Sequence, residues 1–554
     1  MPRLQGNPWL VLVTLSLGFF MTLLDITVVN VALPSMSDDL EASLDEMLWV
    51  INLYILVLAS LLIVSGRLGD VLGFRTMFVG GIIVFTAASV ACALAQDPTQ
   101  LIVARGAQGL GAAALVPQTM TLIMATFPPD RRGSALGVWG AVAGLATIAG
   151  PTLGGLLIDA AGWRSIFILN VPIGTVVIML AVWLIPPDAR RSTSRGLDLP
   201  GVGLAAVTLF CFAFALTEGQ RLQWNGAVVG LLAASVFLSL MFLLHQRRRQ
   251  LRDPLVPFAL FRDRSFAVSS FVSASVQVGM LGLFLPVMIF LQSALAFSPL
   301  VAGLTMAPAM VASAVLSPFA GGWSDRIGGR WIITSGLALF AWGLVWLAVV
   351  LDVDRSWADL QPPLITMGLG IGCVMGPMMS EAMRNVPPEM AGAASGVLNT
   401  IRQIGTIVGS AAVGALMQNR LARSLHENAT QQAVDLPSNI REEFVTRLDG
   451  HAPTASAGTA SEGSIALPLP PGAPNTIVER FEAAAAHALD LAYVQAVGPT
   501  LVLPAAVVAA AAVACLLIPR REEASNSTRP QLNAGTSPES PTPEMQTDSN
   551  TSSG

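Results

Sequence analysis

Ten residues, Gly66-Arg-Leu-Gly-Asp-Val-Leu-Gly-Phe-Arg75, return 255 residues later as Gly321-Gly-Trp-Ser-Asp-Arg-Ile-Gly-Gly-Arg330. Both copies read G-x-x-x-D-x-x-G-x-R, and both lie between long apolar runs. A tight charged turn between membrane helices, present twice, predicts a duplicated helical membrane protein. The Asp can pair with the Arg residues near the membrane surface, and the glycines let the backbone reverse and helix ends approach. A second pair supports duplication: Phe127-Pro-Pro-Asp-Arg-Arg-Gly-Ser-Ala-Leu-Gly137 aligns with Val386-Pro-Pro-Glu-Met-Ala-Gly-Ala-Ala-Ser-Gly396 at an offset of 259.

Composition agrees. Of 554 residues, 53% are hydrophobic and 12% charged, against about 25% charged in soluble domains. A bilayer core of about 30 Å takes roughly 20 apolar helical residues. Such runs lie near 8–31, 47–66, 77–95, 100–122, 135–158, 163–185 and 200–217, then near 226–245, 266–291, 300–320, 331–351, 362–381, 396–418 and 497–519. The fold class predicted is all-α and integral to the membrane, with fourteen transmembrane helices. The repeat carries helices 2 to 5 onto helices 10 to 13, so the arrangement is 6+2+6. Residues 8–185 form a first six-helix bundle, 200–245 two inserted helices, and 266–519 a second bundle with an outer loop at 419–496. Residues 478–494 read as an amphipathic helix, and 522–554 as a disordered tail.

All thirty basic residues are arginine. Twenty fall on the segments that are cytoplasmic if the N-terminus is, and three on the short outer loops, which places both termini in the cytoplasm. The first run lacks a charged leader and cleavage site, so it reads as a retained helix. Cys92, Cys211, Cys373 and Cys515 share no C-x-x-C spacing and read as packing residues, and the four histidines do not cluster, so no metal site is expected. No basic patch laced with aromatics suggests nucleic acid. With no lysine there is no P-loop, so any transport must draw on an ion gradient or a separate ATPase.

Leu24-Asp-Ile-Thr-Val-Val-Asn-Val-Ala-Leu-Pro34 in the first run, the 66–75 turn, Arg105-Gly-Ala-Gln-Gly-Leu-Gly111 and Ala149-Gly-Pro-Thr-Leu-Gly-Gly155 together resemble the fourteen-helix drug:proton antiporters of the major facilitator superfamily. The likeness spans about residues 8 to 520 and is similar to the actinobacterial type of antibiotic or multidrug exporter. It implies alternating access at the interface of two halves, an amphiphilic small-molecule substrate, protons and the lipid bilayer as partners, and no cofactor beyond the proton gradient. It also implies a monomer in the bacterial cytoplasmic membrane, and no enzymatic activity. Another cargo, such as a siderophore or lipid, is the alternative; a membrane sensor or scaffold is a third reading.

Asp25 lies inside the first run, past its middle. An acid there is costly and normally faces a cavity and functions, so it is the candidate proton carrier, with a hydrogen bond to Thr27 or Asn30 as the structural alternative. Arg105 is the matching cation, and the aligned Leu364-Ile-Thr of the second half has no arginine. Asp70 with Arg67 and Arg75, and Asp325 with Arg326 and Arg330, read as a gate latch. Gly150, Pro151, Gly154 and Gly155 read as helix-5 packing residues that seal the halves. Glu218 is a secondary candidate; Glu381 and Asp159, at helix ends, read as solvated. Arg402 lies within a run and has no evident partner.

Overall fold

The fold of the chain is taken from a computed structural model that describes residues 7–187, 198–219, 221–251, 254–352, 356–434, 436, 441–456 and 475–519. The tail expected from 522, and residues 457–474 of the expected outer loop, lie outside the described residues. Helices α1 (Pro8–Asp39), α2 (Leu44–Leu72), α3 (Phe74–Ala93), α4 (Pro98–Thr126), α5 (Arg132–Ala161) and α6 (Arg164–Leu184) pack on one another. Then come α7 (Leu199–Glu218), α8 (Gly226–Arg249) and the four-residue α9 (Ala259–Arg262). The second set is α10 (Arg264–Ile289), α11 (Pro299–Ile327), α12 (Gly329–Val350), α13 (Gln361–Met383) and α14 (Ala391–Ala433). It continues through α15 (Arg441–Ser456) and α16 (Asn475–Thr500) to α17 (Val502–Cys515).

Thirteen helices among the described residues are long and apolar enough to cross a membrane. Helix starts follow local chemistry. Ser43 and Glu46 form a reciprocal capping box at α2, with Ser43 N–H donating to Glu46 Oε2 at 2.8 Å. Asp97 and Ser298 cap α4 and α11 through their side chains.

The repeat is visible in the packing. A Cβ on Gly111 would stand 2.5 Å from Phe85 N and 2.8 Å from Gly81 O; one on Gly370 would stand 2.6 Å from both Phe340 N and Gly336 O. These are the α3–α4 and α12–α13 crossings, related by the offsets of 255 and 259 read from the sequence. The turn repeats too. The eighth position of the motif has φ +98° at Gly73 and +88° at Gly328, a left-handed conformation that glycine adopts without a Cβ penalty.

One element departs from expectation. The helix expected to end near 418 runs on to Ala433 as the 43-residue α14, about 65 Å long at 1.5 Å per residue. Its far part does not enter solvent alone: α16 and α15 pack along it, and Phe444 meets Phe481 edge-on at 4.9 Å. Leu421, Leu425, Phe444, Phe481 and Leu489 are buried there, so this region is a helical assembly with its own apolar core. The amphipathic segment at 478–494 lies within α16. Asn428, which begins an Asn-Ala-Thr sequence of the kind that accepts N-linked glycans, is buried and donates to Gln495 Oε1 at 2.9 Å.

Candidate functional site

Three features lie where the two sets of helices meet or where charge is buried. The first is the arginine-rich end. Asp70, at the end of α2, accepts hydrogen bonds from the N–H groups of Gly392 (2.9 Å) and Ala393 (3.0 Å), the first turn of α14. Asp325, at the end of α11, accepts from Gly133 N–H (2.8 Å) and Ser134 N–H (3.0 Å), the first turn of α5. Each carboxylate caps a helix of the opposite set, where unsatisfied N–H groups and the positive end of the helix dipole favour an anion. Glycines bring the backbones that close: a Cβ on Gly66 would lie 2.4 Å from Gly392 O, and one on Gly321 2.0 Å from Gly133 O.

The last arginine of each turn bonds within its own half. Arg75 donates to Val182 O at 2.6 Å, near the end of α6, and Arg330 donates to Ile518 O at 3.4 Å, just past α17. Arg67 lies 3.6 Å from Asp70, while Arg326 is exposed on the last turn of α11. The motif therefore divides its labour: Asp crosses to the other half, and the final Arg staples the loop to the last helix of its own.

The helix-5 glycines divide as well. A Cβ on Gly150 would meet Thr27 Oγ1 at 2.1 Å and one on Gly154 Val28 at 3.4 Å, both on α1, while Gly155 has nothing within 4 Å. Close cross-half contact is made about three and a half turns before Gly150, where a Cβ on Gly137 would lie 2.4 Å from Ser317 O on α11. The side chain of Pro151 lies outside the described residues. The tightest backbone approaches of α5 to α11 thus fall at Gly133, Gly137 and Gly321.

The second feature is the buried charge. Asp25 and Arg105 are 4% and 1% exposed and form a direct ion pair. Arg105 Nη1 also donates to Gln108 Oε1 (2.6 Å) and its Nε to Val50 O (3.1 Å). The other Asp25 oxygen accepts from Gln108 Nε2 (2.8 Å) and Asn170 Nδ2 (3.1 Å), and both amides reach Ser89 Oγ. The guanidinium carbon stands 4.3 Å from the centroid of the Tyr54 ring, an attractive cation–π placement. Five helices, α1, α2, α3, α4 and α6, thus converge on one carboxylate. Thr27 and Asn30 bond helix carbonyls rather than Asp25.

The third feature is a cavity of about 520 Å³ between α1, α5, α10 and α11. Its walls include Thr27, Asn30, Thr152, Phe284, Met288 and Met310. Asn30, Pro34, Thr152 and Leu304 on its rim are exposed. At 100° per residue, Thr27, Asn30, Val31 and Pro34 share a face of α1 turned roughly opposite to Asp25. The acid therefore does not face the cavity, as its position alone suggested; it faces the interior of the first half.

Glu218 and Glu381 are not solvated. Glu218 is 2% exposed and accepts from Asn52 Nδ2 (2.6 Å) and Arg221 Nε (2.5 Å), tying α7 to α2. Glu381, 5% exposed, accepts from Gly329 N–H (2.9 Å) and pairs with Arg384 (2.9 Å). Asp159 is exposed as expected. Gln108, Asn170 and Ser89 were not singled out as site residues, although Gln108 lies inside the Arg105–Gly111 motif and Asn170 is an amide in an otherwise apolar helix.

Paired helical halves, reciprocal caps at one end and a cavity between the halves define a membrane transporter scaffold. Residues 15–410 match the family model of the Major Facilitator Superfamily, and the chain belongs to that superfamily. It is 34% identical to the multidrug resistance protein Stp of Mycobacterium tuberculosis (strain CDC 1551 / Oshkosh), over 81% of this chain and 83% of that protein. It is 31% identical to the tetracenomycin C resistance and export protein of Streptomyces glaucescens, over 76% and 77%. Among solved structures, the proton:xylose symporter XylE bound to a bromodeoxyglucose shares the fold with a TM-score of 0.55 at 14% identity, covering 81% of this chain and 94% of that one.

Proposed function

We propose that the protein exports amphiphilic drugs or antibiotics by proton antiport, alternating access between two faces of a bacterial cytoplasmic membrane with both termini inside. The observation that carries this reading is the reciprocal capping of α14 by Asp70 and of α5 by Asp325, on the end opposite the rim-exposed cavity. The arginine-rich end is the cytoplasmic one, so the conformation is closed inside and presents its cavity outside. Fourteen spans arranged 6+2+6 supply two rocking halves, with α7 held to α2 through Glu218 and Asn52. Resistance and export proteins among the relatives support drug cargo, and the Phe284, Met288, Met306 and Met310 walls suit apolar bodies.

Asp25 is the proton carrier in this scheme. With its proton lost it is held by Arg105, Gln108 and Asn170; with the proton bound, the ion pair is broken and the five converging helices are freed to shift. The proton thus acts on helix packing in the first half, not on the substrate directly. The test uses inside-out vesicles that acidify their lumen, a luminal pH probe, and a panel of antibiotics and lipophilic cations. Proton release on substrate addition, lost in Asp25→Asn, is the expected result. Release that survives the substitution moves the coupling elsewhere, and no release with any compound in folded protein removes the export reading.

A further inference from the structure

Arg402 sits eleven residues into α14, a rise of about 16 Å from its start, and so lies deep within the apolar span. Its guanidinium carbon stands 6.0 Å from the centroid of the Trp139 ring on α5, across the boundary between the halves. Among the described residues no carboxylate lies within 4.0 Å of the guanidinium, and the guanidinium forms no hydrogen bond. Asn399, one turn nearer the start of α14, keeps its Oδ1 buried and unbonded rather than taking a guanidinium proton. Every other intramembrane charge described above has an ionic or hydrogen-bonding partner; this one does not.

The partner across the boundary has the same deficit. Trp139 is 3% exposed, with Phe19 of α1 stacked on its ring at 4.2 Å, yet its indole Nε1–H has no acceptor. At the boundary a cation therefore stands over the ring of an indole whose own N–H lacks an acceptor. An unpaired arginine at this depth costs about 2.5–3.5 kcal/mol on insertion scales, and a buried donor left unbonded adds to it. The cavity above has no acid among its lining residues, and Asp25 is turned away from it and engaged with Arg105. Gly144 of α5 approaches Met310 O, on the cavity wall; Trp139 is five residues below Gly144, about 7.5 Å along the helix. Neither Arg402 nor Trp139 lines that cavity, and the intramembrane charge at the boundary below it is positive.

We infer that Arg402 and the indole N–H of Trp139 form a subsite for an acidic group on the exported amphiphile: a carboxylate, a sulfonate or an ionised phenol. The inference rests on the export reading above and narrows its substrate class. The apolar body of the passenger lies against the methionine and phenylalanine walls, while its anion reaches the boundary between α5 and α14. Such a ligand bridges the halves and relieves the stranded charge.

A matched pair of probes tests this: anilinonaphthalenesulfonate and its neutral parent, phenylnaphthylamine, titrated into the full chain in neutral-lipid nanodiscs with empty nanodiscs subtracted. Wild type should bind the sulfonate about tenfold more tightly than the amine, as a charge-assisted hydrogen bond of about 1.4 kcal/mol or more requires. Arg402→Gln should lose that preference, and Arg402→Lys, which keeps the charge, should retain part of it. No preference in wild type, or a preference that persists in Arg402→Gln, overturns the subsite. Should Arg402→Gln fail to fold, the Lys variant and Trp139→Phe decide: loss of at least threefold in preference for Trp139→Phe supports the subsite, and an unchanged preference overturns it. Proton release by wild-type vesicles with either probe is measured separately; its failure beside an intact binding preference counts against the export reading alone.

Discussion

At the arginine-rich end the first half and the second half offer each other the same device. Asp70 caps α14 and Asp325 caps α5, each through two backbone N–H groups at 2.8–3.0 Å, and each cap is backed by a glycine that admits the opposing carbonyl. Deeper in the membrane the likeness ends. The first half holds Asp25 and Arg105 in a five-helix cluster, whereas the offsets of 255 and 259 carry them onto Met280 and Leu364 of the second. On the proposed function, the difference teaches that closing and coupling obey different constraints. A gate between two rocking bodies is served by symmetric contacts, since both rims must part together. A proton site needs only one carboxylate, and a second copy would add a second buried charge with its own desolvation cost.

If that division is right, the largest effect comes from the unduplicated charge. Asp25→Asn should reduce substrate-driven proton release to the level of empty vesicles while leaving both caps intact. Gly321→Ala comes next, because its Cβ would stand 2.0 Å from Gly133 O, backbone that cannot swing aside. Overpacking of this kind costs about 1–3 kcal/mol, enough to shift the population well toward an open inner end. Spin labels at positions 131 and 326, in a background free of native cysteines, should report longer distances than in the parent. Gly155→Ala, with open space around its Cβ, should leave those distances unchanged; equal shifts in the two variants would remove the glycine contact as the seal.

A smaller effect sharpens the symmetry itself. Asp70→Asn and Asp325→Asn each exchange a charged acceptor for a neutral one on two N–H groups, a loss of about 1.4 kcal/mol of cap strength. Turnover should fall about tenfold in each, and by similar factors in the two. The double variant should combine the two losses additively, since the caps share no side chain. One variant inert and the other severe would mean that a single cap holds the gate.

The charged residues were legible before any coordinates because an acid or arginine in an apolar run stands out against its background. Asp25, Arg105 and both turn aspartates were found that way, and the offsets of 255 and 259 carried the duplication. What remained hidden has physical reasons. The partners of Asp70 and Asp325 are backbone N–H groups, which carry no residue signature. Gln108 and Asn170 are neutral amides, common in membrane helices as packing hydrogen bonds. The phase of α1 decides that Asp25 turns away from the cavity, and phase has meaning only once the central face is known. Glu218 and Glu381 sit at helix ends, where sequence position says solvent but α2 and the α12 start happen to lie alongside. The length of α14 was missed because its far part is polar on one face, and only α15 and α16 supply the apolar partner that keeps it helical.

The weakest expected effect concerns the inserted pair, α7 and α8, which neither half duplicates. Asp198, just before α7, accepts from His245 Nε2 at 2.9 Å, from Gln246 Nε2 at 3.0 Å and from Gly201 N–H at 3.2 Å. Burial raises its carboxyl, but the hydrogen bonds from His245, Gly201 and Gln246 outweigh that and hold it below the ordinary carboxylate range. A folded-state value lower than the unfolded one contributes stability that is complete above the unfolded value, about 3.9, and is lost as pH falls through the depressed folded value. Between pH 8 and 5 the Asp198 contribution should therefore stay constant, and Asp198→Asn should lower the melting temperature by the same few degrees at both ends of that range, the effect of about 1 kcal/mol. A penalty that vanished at pH 8 would show that the contact depends on a protonated His245. Loss of proton-coupled export in this variant would show that the inserted pair takes part in the rocking of the halves.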